Sequence, residues 1–368
     1  MLSEFLTQLF IKYKDQNVEY CILRNYEELP EVNNSHDVDF LIHKSDADKN
    51  AEYLMQICHS LELTCIRVVK KEYVENWFFA SQLHPLDGMV QLDFFYDGEW
   101  HGFQYLSADE ILQQRVQYKD FYVPCKNHEA LLTLYSGLLW GGIIKEKYYD
   151  RLCSLIKSDK EGFDRIIINT LGEKEAWISD ELLAGHCDKI VNSLSVLRSS
   201  LKRQCFKKSP LGTIKQRATY ILYELRARFV TPGREFVYFS SDGFDEKKLN
   251  NSIEPFFKAP SAIEKRSCGF KDITRSWLMR AKKIAIIRAS LVEINDAKIE
   301  NEPHDLIAFI KRNMALCAGN RIYIKLCDQG QDDVIEIFGK NRVLFLGEQS
   351  NNEAGIARAI IHAMEERR

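Results

Sequence analysis

Asp37 and Asp39 stand one residue apart at the head of an apolar run, inside the stretch YCILRNYEELPEVNNSHDVDFLIH from Tyr20 to His43. Successive side chains on a strand alternate faces, so the two aspartates point one way while Val38 and Phe40 point the other. Their Cα atoms would lie about 6.6 Å apart, near enough for both carboxylates to meet one divalent cation. Without a cation, two such charges repel by about 4 kcal/mol at a separation of about 4 Å in a medium of effective dielectric 20. Hard oxygen donors of this kind suit Mg²⁺ or Mn²⁺, with substrate phosphates completing the shell. A plainer reading of the pair stands beside this one. Asp is common wherever a loop meets a strand, with Asp37 as a turn residue and Asp39 as a solvated edge position.

A third acid strengthens the first reading. The run MVQLDFFY from Met89 to Tyr96 is strongly β-prone and carries Asp93 among Leu92, Phe94 and Phe95. A charge embedded in such a run is costly unless it has a partner. Asp37, Asp39 and Asp93 are therefore the candidate catalytic and metal-binding set.

The elements that must position these acids follow from periodicity. Leu2, Phe5, Leu6, Leu9, Phe10 and Tyr13 recur at helical spacing and predict an amphipathic helix over 2–15. Strands are expected at 18–24 and 38–43, a helix capped by Ser45 and Asp46 through about Leu61, strands near 64–70, 75–81 and 89–96, and a short helix from Ser107. From Asn127 to about Phe229 the pattern is helical nearly throughout, and Thr231-Pro232-Gly233 breaks it. The expected class is α/β, divided into an α+β mixed sheet over 1–125, a helical middle over 126–230 and an α/β sheet over 231–368.

This order, with its three acids, resembles the nucleotidyltransferase fold of the polymerase-β-like superfamily. In that fold a Gly-Gly or Gly-Ser pair ends the first strand, and Asp-x-Asp follows about ten residues later. Here Arg24-Asn25 occupies the place of the glycine pair. The stretches ILRNYEELPE, QLDFFYDGEWHGFQYLSADEIL and LLTLYSGLLWGGIIKEKYYDRL are similar to a branch found in bacterial surface-polysaccharide gene clusters, and the likeness spans most of residues 18–150. The resemblance implies Mg²⁺-dependent (or Mn²⁺-dependent) transfer of a nucleotidyl group from a nucleoside triphosphate to a hydroxyl of a sugar or envelope glycan. Asp37, Asp39 and Asp93 would hold the metal, and Arg24 would neutralise phosphate charge. Asn25, Ser35 and His36 would be further substrate contacts. A phosphotransferase working from a CDP-linked donor would use the same acids. A third reading, a non-catalytic scaffold made of two remnant enzyme domains, draws on the missing glycine.

Near the C-terminus, EFVYFSSDGFDEKKLNNSIEPFF has the form strand, turn, helix. It resembles the phosphate-binding loop of thymidylate-kinase-like proteins, G-P-D-G-x-G-K-S/T, at Asp242-Gly243. The first glycine falls on Ser240, the second on Asp245, the phosphate-binding lysine on Glu246 and the hydroxyl near Lys247 or Lys248. Two acids where a triphosphate would lie repel it. The Asp-Arg pair of those kinases falls on Ile287-Arg288. Strands at 284–288, 321–327 and 343–346, alternating with helices at 302–316 and 352–366, predict a P-loop-like sheet that has lost its kinase chemistry.

Composition bounds the remaining possibilities. A formal net charge of −3 with 45% hydrophobic residues gives no electrostatic footprint for nucleic acid. The N-terminus lacks the basic start and apolar core of a signal peptide. The longest apolar run, 131–144, falls short of a membrane span and contains glycines. The ten cysteines form no C-x-x-C, which fits reduced thiols in a cytoplasmic protein. The basic run from Leu201 to Arg228 reads as a solvated helix face, with a peripheral membrane contact as the alternative. Self-association into a homo-oligomer is compatible with the sequence.

Overall fold

A computed structural model describes residues 2–32, 37–85 and 89–229, then the segments 235–240, 263–267, 284–290, 321–326, 334–338, 341–346 and 353–364. The architecture is mixed α/β, in two compact units. The first unit comprises residues 1–57, 68–77 and 91–224, and the second comprises 58–67, 78–90 and 225–368.

The chain opens with α1 (Leu2–Asp15), β1 (Tyr20–Ile22) and β2 (Val38–Ile42), followed by α2 (Ala47–Ser60), β3 (Leu63–Lys70), β4 (Val74–Ser81) and β5 (Met89–Phe95). The strands form one sheet in the order β1-β2-β5-β4-β3. β1 runs antiparallel to β2, and β2 runs parallel to β5. The alternation expected of β2 is kept. Phe40 faces α1, where its ring stacks on Phe94 of β5 at 5.1 Å and meets Tyr13 edge-on at 6.4 Å. Leu41 faces the opposite layer and joins its apolar cluster.

Two boundaries depart from the sequence reading. The first strand is only three residues long, because Asn17 adopts a φ of 50° and Val18 still donates its N–H to Tyr13 O at the end of α1. Ser45 and Asp46 do not cap α2 directly. They belong to a 3-10 turn, Lys44–Asp46, that leads into it.

After β5 come two hairpins that periodicity did not announce. β6 (Asp97–Trp100) pairs with β7 (Phe103–Ser107), and β8 (Val116–Tyr118) pairs with β9 (Phe121–Val123). The β6–β7 turn is His101-Gly102, with φ of 52° and 79°. Two left-handed central residues match the right-handed twist of the flanking strands. Between the hairpins, α3 (Ala108–Gln113) begins at Ser107 as expected, with a reciprocal capping box to Glu110.

The expected helical run is present as α4 (Lys126–Gly141), α5 (Glu146–Ser158), α6 (Lys160–Leu171), α7 (Ile178–Leu183), α8 (Cys187–Asn192), α9 (Leu194–Lys208) and α10 (Pro210–Phe229). α4 ends at Gly142, whose left-handed φ of 69° lets its N–H return to Gly137 O and Leu138 O. Leu131, Leu134 and Leu138 of α4 share one buried cluster with Cys21, Leu23 and Leu41 of the sheet. The face of β2 that carries Asp39 is thus the face covered by the helices. Part of the basic run is not simply solvated. The cations of Lys202 and Arg217 lie over the rings of Trp100 and Phe103, and Arg217 donates to His101 O. No helix among the described residues is long and apolar enough to cross a membrane.

In the second unit, β10 (Glu235–Ser240), β11 (Ile263–Ser267), β12 (Ile284–Ser290), β13 (Arg321–Leu326), β14 (Val334–Phe338) and β15 (Asn341–Leu346) form a sheet in the order β11-β12-β10-β13-β15-β14, and α11 (Glu353–Met364) follows. All neighbours are parallel except β14 and β15. The first strand, β10, is internal, between β12 and β13, and on each side the edge strand (β11, β14) precedes in sequence the strand lying inside it (β12, β15). Ser240 ends β10 and Ile287-Arg288 lies within β12. Asp242, Gly243, Asp245, Glu246, Lys247, Lys248 and the helix expected at 302–316 lie outside the described residues.

Candidate metal centre

Asp39 is the second residue of β2 and Asp93 the fifth of β5, and the parallel register sets them directly opposite one another. Asp37 is not a strand residue. It sits in the bend just before β2, half-buried, while Asp39 and Asp93 are 3% and 8% exposed. One carboxylate oxygen from each of the three lies within 4.8 Å of the others. Among the described residues this is the only such cluster of three potential metal ligands.

The two oxygens of Asp39 have different surroundings. Oδ2 accepts a hydrogen bond from Nε of Arg24 at 2.5 Å. Oδ1 is buried and has no hydrogen-bond partner among the described residues. A buried carboxylate oxygen with no partner is expensive to keep, and a cation held between the three carboxylates would satisfy it. The donor set, all carboxylate oxygen, suits a hard divalent ion such as Mg²⁺ or Mn²⁺.

Asp93 has support of a different kind. Gln91, two residues earlier on the same face of β5, donates Nε2 to its Oδ1 at 3.1 Å, and the Asn76 side chain from β4 donates as well. These bonds favour the carboxylate, but burial and the neighbouring Asp39 outweigh them and push its pKa up to about 7. The sequence showed Asp93 as a charge in need of a partner. The structure answers with two amides and two further acids.

Arg24 and Asn25 follow β1 after Leu23. Asn25 has a φ of 55°, the left-handed conformation that Gly adopts freely and Asn tolerates better than most residues. Asn25 thus holds a backbone conformation that glycine would adopt without strain. The Asn25 side chain donates to the Tyr148 hydroxyl of α5 at 3.2 Å. Next in the chain, Tyr26 donates its hydroxyl to Oε2 of Glu129 on α4 at 2.7 Å. Arg151 of α5 grips the same carboxylate with Nε at 2.9 Å and Nη2 at 3.1 Å, and it reaches the Tyr26 hydroxyl at 2.6 Å. The loop carrying Arg24 and Asn25 is thus tied to two helices. Ser35 and His36 lie outside the described residues.

No family model matches the chain, and no curated protein matches it. Two solved structures overlap part of it. JHP933 from Helicobacter pylori is 13% identical, covering 58% of this chain and all of its own at a TM-score of 0.28. A Helicobacter pylori protein provisionally named a nucleotidyltransferase is 12% identical, covering 56% of this chain and 94% of its own at a TM-score of 0.29. Overlaps this slight carry no weight for either fold or activity.

Beside the acids opens a cavity of 290 Å³. Arg24, Asn76 and Asp93 line the part nearest the carboxylates, and Lys71, Tyr73, Asp97, Glu99, Tyr105, Ser136, Trp140 and Lys145 contribute to the rest. Tyr73 and Trp140 stack on one another at 5.6 Å. Glu99 is buried, takes the N–H of Gly102 on Oε1 at 3.1 Å, and is pushed up to about 7 by desolvation. Apart from Arg24 and Asp93, sequence reasoning named none of these walls. Gln91, which supports Asp93, left a signal as a polar residue two before it in an apolar strand, and Glu99 of the cavity wall a fainter one. The aromatic and lysine residues come from loops and helices distant in sequence, with no periodicity to mark them.

Proposed function

We propose that the first unit is a metal-dependent nucleotidyltransferase that moves a nucleotidyl group from a nucleoside triphosphate to a hydroxyl of a sugar or envelope-glycan intermediate. The observation that carries this reading is the convergence of Asp37, Asp39 and Asp93 around a buried, unpartnered Asp39 Oδ1. A scaffold has no need to hold three like charges together, two of them buried. The resemblance of the surrounding sequence to nucleotidyltransferases of polysaccharide clusters supports the same reading and supplies the acceptor class.

Asp37, Asp39 and Asp93 would hold Mg²⁺ or Mn²⁺. When bound, the ion would supply positive charge to the phosphoryl oxygens and to the attacking and leaving oxygens. The protein's own groups do the remainder. Arg24 balances Asp39 and orients it. Asp93 would complete the metal site and help to deprotonate the attacking hydroxyl. The adjoining cavity receives the substrates and its walls limit their hydration.

Thermal melting with Mg²⁺ or Mn²⁺, alone and with nucleotide, tests the site. The wild type is expected to melt higher with metal plus nucleotide, and the Asp37→Ala, Asp39→Ala form is expected not to respond. An identical response from both sinks the proposal. Labelled ATP and CTP, set against CDP-linked donors, separate nucleotidyl transfer from phosphotransfer on the same acids.

A further inference from the structure

Where a glycine turn would present backbone N–H groups to phosphates, this chain has Arg24 and Asn25, and both are in contact with charged or polar groups of its own. What else could hold a phosphate chain is visible at the start of α5. Asn25 donates to the Tyr148 hydroxyl, and the ammonium groups of Lys147 and Lys145 lie 4.6 Å and 5.7 Å from the centre of the Tyr148 ring. Burial alone would raise the Tyr148 phenol, yet Lys147, Asn25 and Arg24 around it hold it below its ordinary value, a sign of strong local positive potential. Lys145 also lines the cavity that contains Asp93 and Arg24. Neither lysine forms an ion pair among the described residues. Arg24 uses only Nε on Asp39, so its two terminal nitrogens make no hydrogen bond among the described residues.

We propose that Lys145, Lys147 and Tyr148, together with Arg24 and Asn25, form the subsite for the phosphate chain of the donor. Side chains from the helical layer here replace the backbone donors of a glycine turn. This proposal rests on the nucleotidyltransferase reading for the identity of its ligand, but the charge arrangement stands without a metal. Arg24 offsets Asp39, Lys145 puts positive charge in the lining of the cavity that holds Asp93, and Lys147 adds charge at the Tyr148 ring, so a chain of phosphates could extend from the reacting centre along them. Ammonium groups and a guanidinium make charge-assisted bonds to phosphate oxygens, the strong class of hydrogen bond. The Tyr148 hydroxyl, already accepting from Asn25, has its own proton to donate.

The test is calorimetric titration of the intact chain with inorganic tripolyphosphate, in EDTA and at fixed ionic strength, with sulfate as the control anion. The wild type is expected to bind tripolyphosphate in clear preference to sulfate. The Lys145→Ala, Lys147→Ala form should bind it at least about tenfold more weakly, and Tyr148→Phe should weaken it less. Both lysines are exposed, and an unchanged melting temperature would confirm that these variants stay folded. Equal affinity for sulfate, no binding by the wild type, or undiminished binding by the double lysine variant overturns the subsite. Tripolyphosphate binding in a protein that ignores Mg²⁺ overturns the metal-dependent reading and leaves the anion site standing.

Discussion

Asp39 and Asp93 face each other across the β2–β5 parallel pair, register partners on neighbouring strands. Like charges directly opposite one another destabilise a sheet, and both of these are buried. Arg24 relieves one of them through a single nitrogen. The rest of the imbalance is what a cation would remove.

Replacing Asp93 by Asn should abolish the stabilisation that Mg²⁺ or Mn²⁺ gives, while the melting temperature without metal should hold or rise, because a buried repulsion is lost and the Arg24–Asp39 pair is kept. Differential scanning calorimetry of Asp93→Asn with and without metal reads both effects. A fall in stability without metal would contradict the electrostatic account.

The pH dependence has a defined sign. In the native chain Asp93 titrates at about 7, against an ordinary 3.8, so between those values the folded state keeps a proton that the unfolded state releases. Stability then falls as pH rises from about 4 to about 7, by on the order of 4 kcal/mol from this group. Glu99 adds to the fall with the same sign. Urea denaturation across this range should show the decline in metal-free protein and a shallower one in Asp93→Asn. Since metal and proton compete for Asp93, metal affinity should climb with pH below about 7 and level off above it.

Asn25 gives a backbone test. Asn25→Gly should leave stability within about 1 kcal/mol, since glycine adopts the same φ, whereas Asn25→Val should cost about 2 kcal/mol because a β-branched residue is strained there. Equal destabilisation by both would mean that the bond to Tyr148 matters and the backbone shape does not.

Around Glu129 the order of effects is informative. Arg151→Ala strands a buried carboxylate with one hydroxyl as donor and should cost about 2 kcal/mol after allowance for the partial exposure of Arg151. Glu129→Gln keeps an acceptor for both partners and should cost about 1 kcal/mol. Chemical denaturation of the two variants checks the ranking.

The acids were legible in the sequence for physical reasons. Asp37 and Asp39 straddle a period of two, and Asp93 is a charge that an apolar strand would not carry idly. The amphipathic α1 and the helical run to α10 were equally plain, because a helical period repeats over many residues. The hairpins were not, since strands of three to five residues hold too little periodicity and the His101-Gly102 turn lacks the Asn-Gly or Asp-Gly signature. At Asn25 composition was misleading. No glycine announced a left-handed turn, yet residue 25 adopts one. The cavity walls Tyr73, Trp140 and Lys145 were invisible because only folding brings them together.

The junction of Tyr26, Glu129 and Arg151 also bears on how the chain can be dissected. A fragment cut after residue 125 would retain all three aspartates while losing both helices that grip the loop beside them. Such a truncation should be expected to forfeit its hold on Arg24, however completely it keeps the acids. Engineering this centre onto another scaffold therefore means transplanting α4 and α5 along with the strands.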